Sequence, residues 1–222
     1  MRVSAKAKLT LSLRVTGARD DGYHLVDAEM VTVDLTDTLI FSDGDGLSVV
    51  GPAATGVPVD QSNLVRRALA AVRRAAQVDV EKRIPAGAGL GGGSADAAAV
   101  LRWAGCEDVG VAALLGADVP FCLIGGRARV SGIGEIVEPL PFETRRFTLL
   151  IPPLNVATAE VYGAWESLGG PSGANGNDLE PAALLVAPEL ARWRDRLGDA
   201  TGATPRLAGS GATWFVEGAF PG

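Results

Sequence analysis

Histidine is almost missing from these 222 residues: His24 stands alone. A Ser-His-Asp or Cys-His mechanism has only that residue to use, and a multi-histidine metal site is excluded. Cysteine is nearly as scarce. Cys106 and Cys122 form neither a CxxC pair nor a metal-ligand cluster, so they read as two reduced thiols of a cytoplasmic protein. Lysine is rare in a chain with no shortage of positive charge. Of 20 basic residues 17 are Arg, and the lysines are Lys6, Lys8 and Lys82. Where Arg supplies the general surface charge, a Lys marks a place where a compact ammonium is wanted. No apolar run approaches the roughly 18 residues of a membrane span. The first residues hold no apolar stretch of the kind that heads an export signal, so a cytoplasmic location and no membrane partner are expected. An excess of basic charge is also missing: 26 acidic residues face 20 basic ones, a formal charge of −6. That argues against a general nucleic-acid binder, which needs a basic face to neutralise phosphates. A small phosphorylated ligand remains possible, because local backbone N–H groups bind one without net positive charge.

What is present is an ordinary globular composition, 47% hydrophobic and 21% charged. Residues 5–15 alternate: Ala7, Leu9, Leu11, Leu13 and Val15 point one way, and Lys8, Thr10, Ser12 and Arg14 the other, which is the pattern of a half-buried strand. Further strands are expected over 23–35, 38–42, 47–50, 78–84, 121–124, 127–131, 136–139 and 147–151, and Arg206–Leu207, a GSGA turn and Thr213–Glu217 close the chain. Helices are expected over 64–76, from Ser94 onward, and over 107–115, 158–168 and 188–197. Residues 169–177 read as a loop. The order, β-rich first and mixed later, predicts an α+β protein of two units, 1–141 and 142–222, with the break in composition near Pro139–Thr144.

The least ordinary stretch is Pro85–Ala99, PAGAGLGGGSADAAA, in which Gly87, Gly89, Gly91, Gly92 and Gly93 crowd into seven residues. Glycine permits positive φ and lets backbone pass close to a ligand, at a high entropic cost of ordering. A helix beginning at Ser94 aims its free N–H groups and positive dipole end at whatever the loop encloses, which makes an anion site suited to phosphates. A flexible linker is not usually followed at once by an Ala-rich helix. A Walker A loop fails, because no Lys follows these glycines. Gly87-x-Gly89-x-x-Gly92 fits the dinucleotide fingerprint formally, with Glu107 or Asp108 downstream, but the chain lacks alternating βαβ units.

The segment Pro85–Ala99 resembles the second motif of the galactokinase, homoserine kinase, mevalonate kinase and phosphomevalonate kinase (GHMP) superfamily. Ala7–Leu11 (AKLTL), Asp21–His24 (DGYH), Leu115–Pro120 (LGADVP), Gly132–Glu135 (GIGE) and Gly209–Ala212 (GSGA) are similar, in this order, to the 4-diphosphocytidyl-2-C-methyl-D-erythritol kinase family. The resemblance spans nearly the whole chain, and the combination is far more specific than any one motif.

It implies a GHMP kinase fold, with an N-terminal ribosomal-S5-like domain and a C-terminal ferredoxin-like domain around the active site. The implied reaction is ATP-dependent phosphorylation of the 2-hydroxyl of 4-diphosphocytidyl-2-C-methyl-D-erythritol, on the non-mevalonate route to isoprenoid precursors. Residue by residue, it places the catalytic aspartate at Asp118 and the active-site lysine at Lys8. A positioned carboxylate that takes a proton from an attacking hydroxyl contributes roughly 10²–10⁴-fold. On composition alone, Asp118 would read as a cap for Val119–Pro120 and Lys8 as a solvated strand lysine. The resemblance also puts Pro85, Gly87, Gly89, Leu90, Gly91, Gly92, Gly93 and Ser94 around the ATP phosphates, and Asn63 and Lys82 near adenine and ribose. Tyr23 and His24 would grip cytosine. Thr10, where the family usually carries Asn, and Gly209, Ser210 and Gly211 would line the substrate. Mg²⁺ is expected with ATP, with Ser94 as one candidate contact and no ligand set assigned.

The implied partner is a small molecule carrying a cytidine diphosphate group, with no nucleic acid, and the chain is expected as a monomer or homodimer. The spacer between Trp103 and Leu115 is abbreviated, and the sequence given ends soon after Gly209–Ala212, which resembles the superfamily's third motif, so the C-terminal domain is expected to be incomplete. Two alternatives stay open: another GHMP kinase acting on a different alcohol, and a nucleotide-binding form without turnover.

Overall fold

The first two strands form a long antiparallel hairpin. β1 (Arg2–Ala18) and β2 (His24–Ser42) pair from Arg2–Ile40 to Ala18–His24. The turn between them closes through Arg19 N to Tyr23 O, 2.7 Å, and Gly22 adopts φ 85° there. The computed structural model describes residues 1–220; the last two residues of the expected C-terminal unit, 221 and 222, lie outside it.

β2 is a single strand of 19 residues, not the two expected over 23–35 and 38–42. One edge carries β1. The other is shared by β5 (Arg127–Gly132) beside Val26–Val31 and β4 (Gln77–Glu81) beside Thr38–Ser42. β3 (Gly46–Val50) runs parallel to β4, and β6 (Ile136–Pro139) closes the far edge against β5.

Against this sheet lie α2 (Gly92–Ala104) and α4 (Val119–Ile124), with α1 (Leu64–Ala71) and α3 (Val109–Leu115) packed on them. The alanines of α2 earn it a central place. Ala95, Ala97, Ala98 and Ala99 are all buried, and such small side chains let β1, α1 and α4 approach its backbone closely.

Four local readings are corrected. Residues 121–124 were expected as a strand but belong to α4, because Pro120 is tolerated in a first helical turn and Gly125, at φ 71°, ends the helix. α1 stops at Ala71 rather than near residue 76, as Arg73 turns left-handed at φ 53°. α2 begins at Gly92, two residues ahead of Ser94. A helix not anticipated, α6 (Glu180–Val186), starts on Glu180-Pro181, again with Pro in the first turn.

The remaining elements are β7 (Phe147–Leu150), α5 (Thr158–Ser167), α7 (Leu190–Thr201), β8 (Arg206–Leu207) and β9 (Trp214–Glu217). β9 is central in a sheet of three strands, ordered β7-β9-β8, and Trp214 and Phe215 on it are fully buried.

The loop before α6 fastens the second part of the chain to the first. Leu13 N donates to Gly176 O and Asp178 N to Leu13 O, both at 2.9 Å. The buried Asn177 amide donates to Leu207 O at 2.9 Å and Gly209 O at 2.7 Å, so residues 207–209 are held beside β1. A buried amide that uses its donors and its acceptor in this way is inexpensive to bury and specific in geometry.

Candidate active site

Lys8 lies on β1 between two register shifts, Lys6/Lys8 and Thr10/Ser12. Such bulges re-aim side chains without ending a strand. The strand is buried on both faces here: Ala7 and Leu9 meet the core, while Lys8 and Thr10 are covered from the other side. The Lys8 ammonium donates to Thr10 Oγ1 at 3.1 Å and stands 3.3 Å from Asp118 Oδ2. Its side chain is 7% exposed, that of Asp118 33%. Asp118 begins α4 but makes no side-chain cap bond, so its carboxylate is free to face Lys8 instead of serving the helix. The pair therefore has one sheltered member and one open to an incoming group.

The glycine loop divides into two parts with different reasons for glycine. Gly87 and Gly89 face the second part of the chain. A Cβ on Gly89 would lie 2.5 Å from Ala208 O and 2.6 Å from Gly211 O, and one on Gly87 would meet the Asn155 side chain. Thr213 N and Oγ1 both donate to Ala88 O, at 3.2 and 2.7 Å. Gly89 is thus required by protein packing, not only by a ligand.

Gly91, Gly92 and Gly93 form the second part. Gly91 adopts φ 66° and N-caps α2 with no side-chain hydrogen bond, leaving the first-turn amides of Gly92, Gly93 and Ser94 without a side-chain cap. Lys8 crosses this point: its N donates to Leu90 O at 3.0 Å, and its Cγ would be 2.7 Å from a Cβ on Gly91. Gly209 sits over the same place, since a Cβ there would be 3.7 Å from Thr10 Oγ1 and 3.8 Å from Lys8 Nζ. Ser210 bonds Thr158 at 2.9 Å (Oγ to Oγ1), and Gly211 takes φ 93°. Lys8, Thr10, Leu90, Gly91, Asp118 and Gly209 are therefore brought together, with the α2 N-terminus alongside.

An aromatic wall adjoins this cluster. The His24 ring stacks on Tyr162 at 4.6 Å and meets Trp165 edge-on at 5.7 Å. Glu166 Oε1 is 3.0 Å from His24 Nε2, but without hydrogen-bond alignment. Tyr23, next to it, is 59% exposed. Burial pushes the Tyr162 phenol up to about 12, and the Asp118 charge adds to the rise, so wall and carboxylate feel one another. Tyr162, Trp165 and Glu166 were not singled out from the sequence. Their i, i+3, i+4 spacing on α5 is the signal that they share a face.

Two residues expected at a nucleotide have other partners. Asn63 caps α1 through Oδ1, which accepts from Val65 N at 2.8 Å, and its Nδ2 donates to Pro58 O. Lys82, expected near adenine and ribose, has an ammonium that is 3% exposed and donates to Asp37 and, at 2.6 Å, to Asp96, inside the protein. Burial is the reason: an ammonium inside a protein must be paired. Cys122 is no nucleophile, because burial, with the Asp118 charge adding, pushes its thiol up to about 12. Pro85 is half-buried at the entry to the loop.

Among the described residues no group of three or more His, Cys, Asp and Glu side chains could hold a metal. The Ser94 hydroxyl beside the uncapped start of α2 would suit a magnesium ion carried mainly by phosphates and water rather than a cage of protein ligands. No helix of the described residues is long and apolar enough to cross a membrane.

Residues 63–126 match the GHMP kinases N terminal domain. The chain is similar to the 4-diphosphocytidyl-2-C-methyl-D-erythritol kinase of Cereibacter sphaeroides, 39% identical over 241 residues, covering 95% of this chain and 87% of the relative. The kinase of the same name from Paracoccus denitrificans is 39% identical over 234 residues, covering 96% and 85%. A crystal structure of 4-(cytidine 5'-diphospho)-2C-methyl-D-erythritol kinase superposes with a TM-score of 0.76 at 33% identity, covering 97% of this chain and 89% of that one. The Methanococcus jannaschii mevalonate kinase, at TM-score 0.60 and 14% identity over 98% and 90%, shares the fold.

Proposed function

This chain belongs to the 4-diphosphocytidyl-2-C-methyl-D-erythritol kinase family, and is an α+β, ATP-dependent small-molecule kinase of GHMP fold; from that premise we propose that Asp118 and Lys8 carry its chemistry. The observation that carries the reading is the 3.3 Å pair of Lys8 Nζ and Asp118 Oδ2 beside the glycine loop. The acceptor is the 2-hydroxyl of 4-diphosphocytidyl-2-C-methyl-D-erythritol. Its proton passes to Asp118, its oxygen bonds to the γ-phosphorus, and the bond from that phosphorus to the β-γ bridging oxygen breaks, leaving ADP. Lys8 stabilises the developing negative charge next to the carboxylate, and Thr10 orients Lys8.

The phosphates of ATP lie on the amides of Gly91, Gly92, Gly93 and Ser94, where the α2 dipole favours negative charge. Ser94 is the protein group placed to contact Mg²⁺, which would neutralise charge on the transferring phosphoryl group. Gly209, Ser210 and Gly211 close the site over the acceptor. Asn63, at the start of α1, would lie near the nucleoside as the cap of that helix, its side chain being committed to Val65 N and Pro58 O. The division into 1–141 and 142–222 and a cytoplasmic location belong to the same reading.

Cytosine is read by the aromatic wall. Tyr23 and the open face of Tyr162 offer ring faces, and His24 Nε2, now 3.0 Å from Glu166 Oε1 without hydrogen-bond alignment, would turn from Glu166 to the pyrimidine edge. A ring stacked on a base is worth about 1–3 kcal/mol, so Tyr162→Ala and Tyr23→Ala should each raise KM for the cytidine substrate roughly 5- to 150-fold. KM for ATP should stay within about twofold. Steady-state kinetics with each substrate varied in turn makes the check. Equal weakening of both substrates would make these residues structural and leave cytosine without its reader.

A further inference from the structure

The buried group left unused by the mechanism is the three-residue network of Asp37 on β2, Lys82 just beyond β4 and Asp96 on α2. All three are nearly fully buried. Lys82 Nζ donates to Asp37 Oδ2 and to Asp96 Oδ2. Asp37 Oδ1 accepts in addition from Arg83 N and, at 2.8 Å, from Ile84 N. The network thus holds the chain where it enters the glycine loop, at 82–84, and the helix into which the loop runs, at 96. Lys82 Nζ also lies directly under the first turn of α2, 3.0 Å from where a Cβ on Gly92 would stand.

A loop of five glycines has little stiffness of its own. Its shape must come from its ends. We propose that Asp37, Lys82 and Asp96 are positioning residues for ATP, a buried strap that fixes the two ends of the glycine loop relative to each other and so sets where the α2 amides meet the phosphates. The proposal rests on the reading that residues 91–94 hold those phosphates.

The strap holds two carboxylates against one ammonium, and Asp96 Oδ1 has no hydrogen-bond partner. Asp96 is faced by Lys82, by Asp37 and by the Cys122 thiol on α4. Burial raises Asp96 to about 7 against the attraction of Lys82, and Asp37 adds to the rise. The folded chain therefore holds this proton more tightly than the unfolded one, where the ordinary value is 3.8. That stabilisation is complete below about pH 4 and is lost as pH rises through about 7.

The test uses Asp96→Ala, Asp96→Asn and Gly93→Ala in the full chain. A Cβ on Gly93 meets nothing closer than Leu64 Cδ1 at 3.5 Å, so Gly93→Ala leaves the fold intact and probes the phosphate reading alone. Asp96→Ala is expected to raise KM for ATP about tenfold, as a displaced positioning group does, with KM for the cytidine substrate within about twofold. Asp96→Asn, which keeps an acceptor for Lys82, should recover most of the loss. It should also abolish the fall in Tm from pH 5 to 8 expected of the native chain. Unchanged KM for ATP in Asp96→Ala, with Gly93→Ala impaired, overturns the strap and leaves the loop reading standing. Unchanged KM in both overturns the two together. Equal weakening of both substrates in Asp96→Ala also overturns the strap. Should Asp96→Ala not fold, amide exchange over residues 84–98 of Lys82→Met, which removes the donor shared by both carboxylates, decides: exchange about tenfold faster supports the strap, and native rates overturn it.

Discussion

Asp118→Asn is expected to lower kcat by about 10²–10⁴-fold, the contribution of a positioned general base. The substitution keeps the size and shape of the side chain but removes its ability to take a proton. It also deprives Lys8 of the carboxylate 3.3 Å away. The ATP side of the site does not depend on Asp118: the α2 N-terminus is held by its own backbone and by Lys8 N to Leu90 O, and α4 draws no cap bond from it. ATP affinity should therefore stay within about twofold, because the lost interaction is one made in the transition state. Rapid-quench turnover beside an ATP titration separates the two quantities. Native turnover in Asp118→Asn would remove Asp118 from the mechanism. Loss of ATP affinity to the same degree as turnover would make it a binding residue.

Gly89→Ala should cost both stability and ATP affinity. At φ 76° a residue with a Cβ is strained by about 1–2 kcal/mol. The added carbon would also stand 2.5 and 2.6 Å from the carbonyl oxygens of Ala208 and Gly211, which are backbone and cannot swing away. The third motif must then lift off the glycine loop, carrying Gly209 away from Lys8. A fall in Tm of about 5–10 °C is expected for a chain of this size. KM for ATP should rise with it, since the loop loses the wall that shapes it. Thermal unfolding followed by circular dichroism, with parallel kinetics, measures both. An unchanged Tm would mean that the two motifs do not pack as described.

How much of this was legible beforehand differs by residue. The phosphate loop could be read locally, because glycine crowding and an Ala-rich helix start are properties of adjacent residues. Its division could not: whether Gly89 answers to a phosphate or to Ala208 and Gly211 depends on chain more than a hundred residues away. The Lys8–Asp118 pair came from resemblance alone, since alternation in β1 says only that Lys8 shares a face with Thr10. Residues 121–124 were misread because four apolar residues fit a strand or a helix turn equally. The decisive signals lay at the edges, Pro120 and Gly125. The partners of Lys82 were hidden for a related reason. A lysine after a strand reads as a surface cation or a ligand contact until Asp37 and Asp96, 45 and 14 residues away, are seen to close around it. The aromatic wall was half legible, Tyr23 and His24 through their motif, and Tyr162 only through the helix that brings it against His24.

The central claim is that this chain transfers phosphate to a cytidine-bearing erythritol. Coupled ADP release is the direct measurement, with the purified 222-residue chain, ATP, Mg²⁺ and 4-diphosphocytidyl-2-C-methyl-D-erythritol, against mevalonate and homoserine. Turnover with the cytidine substrate and none above background with the other two is the expected result. Turnover with mevalonate or homoserine, or binding of ATP by the folded chain without release of ADP to any acceptor, would contradict it.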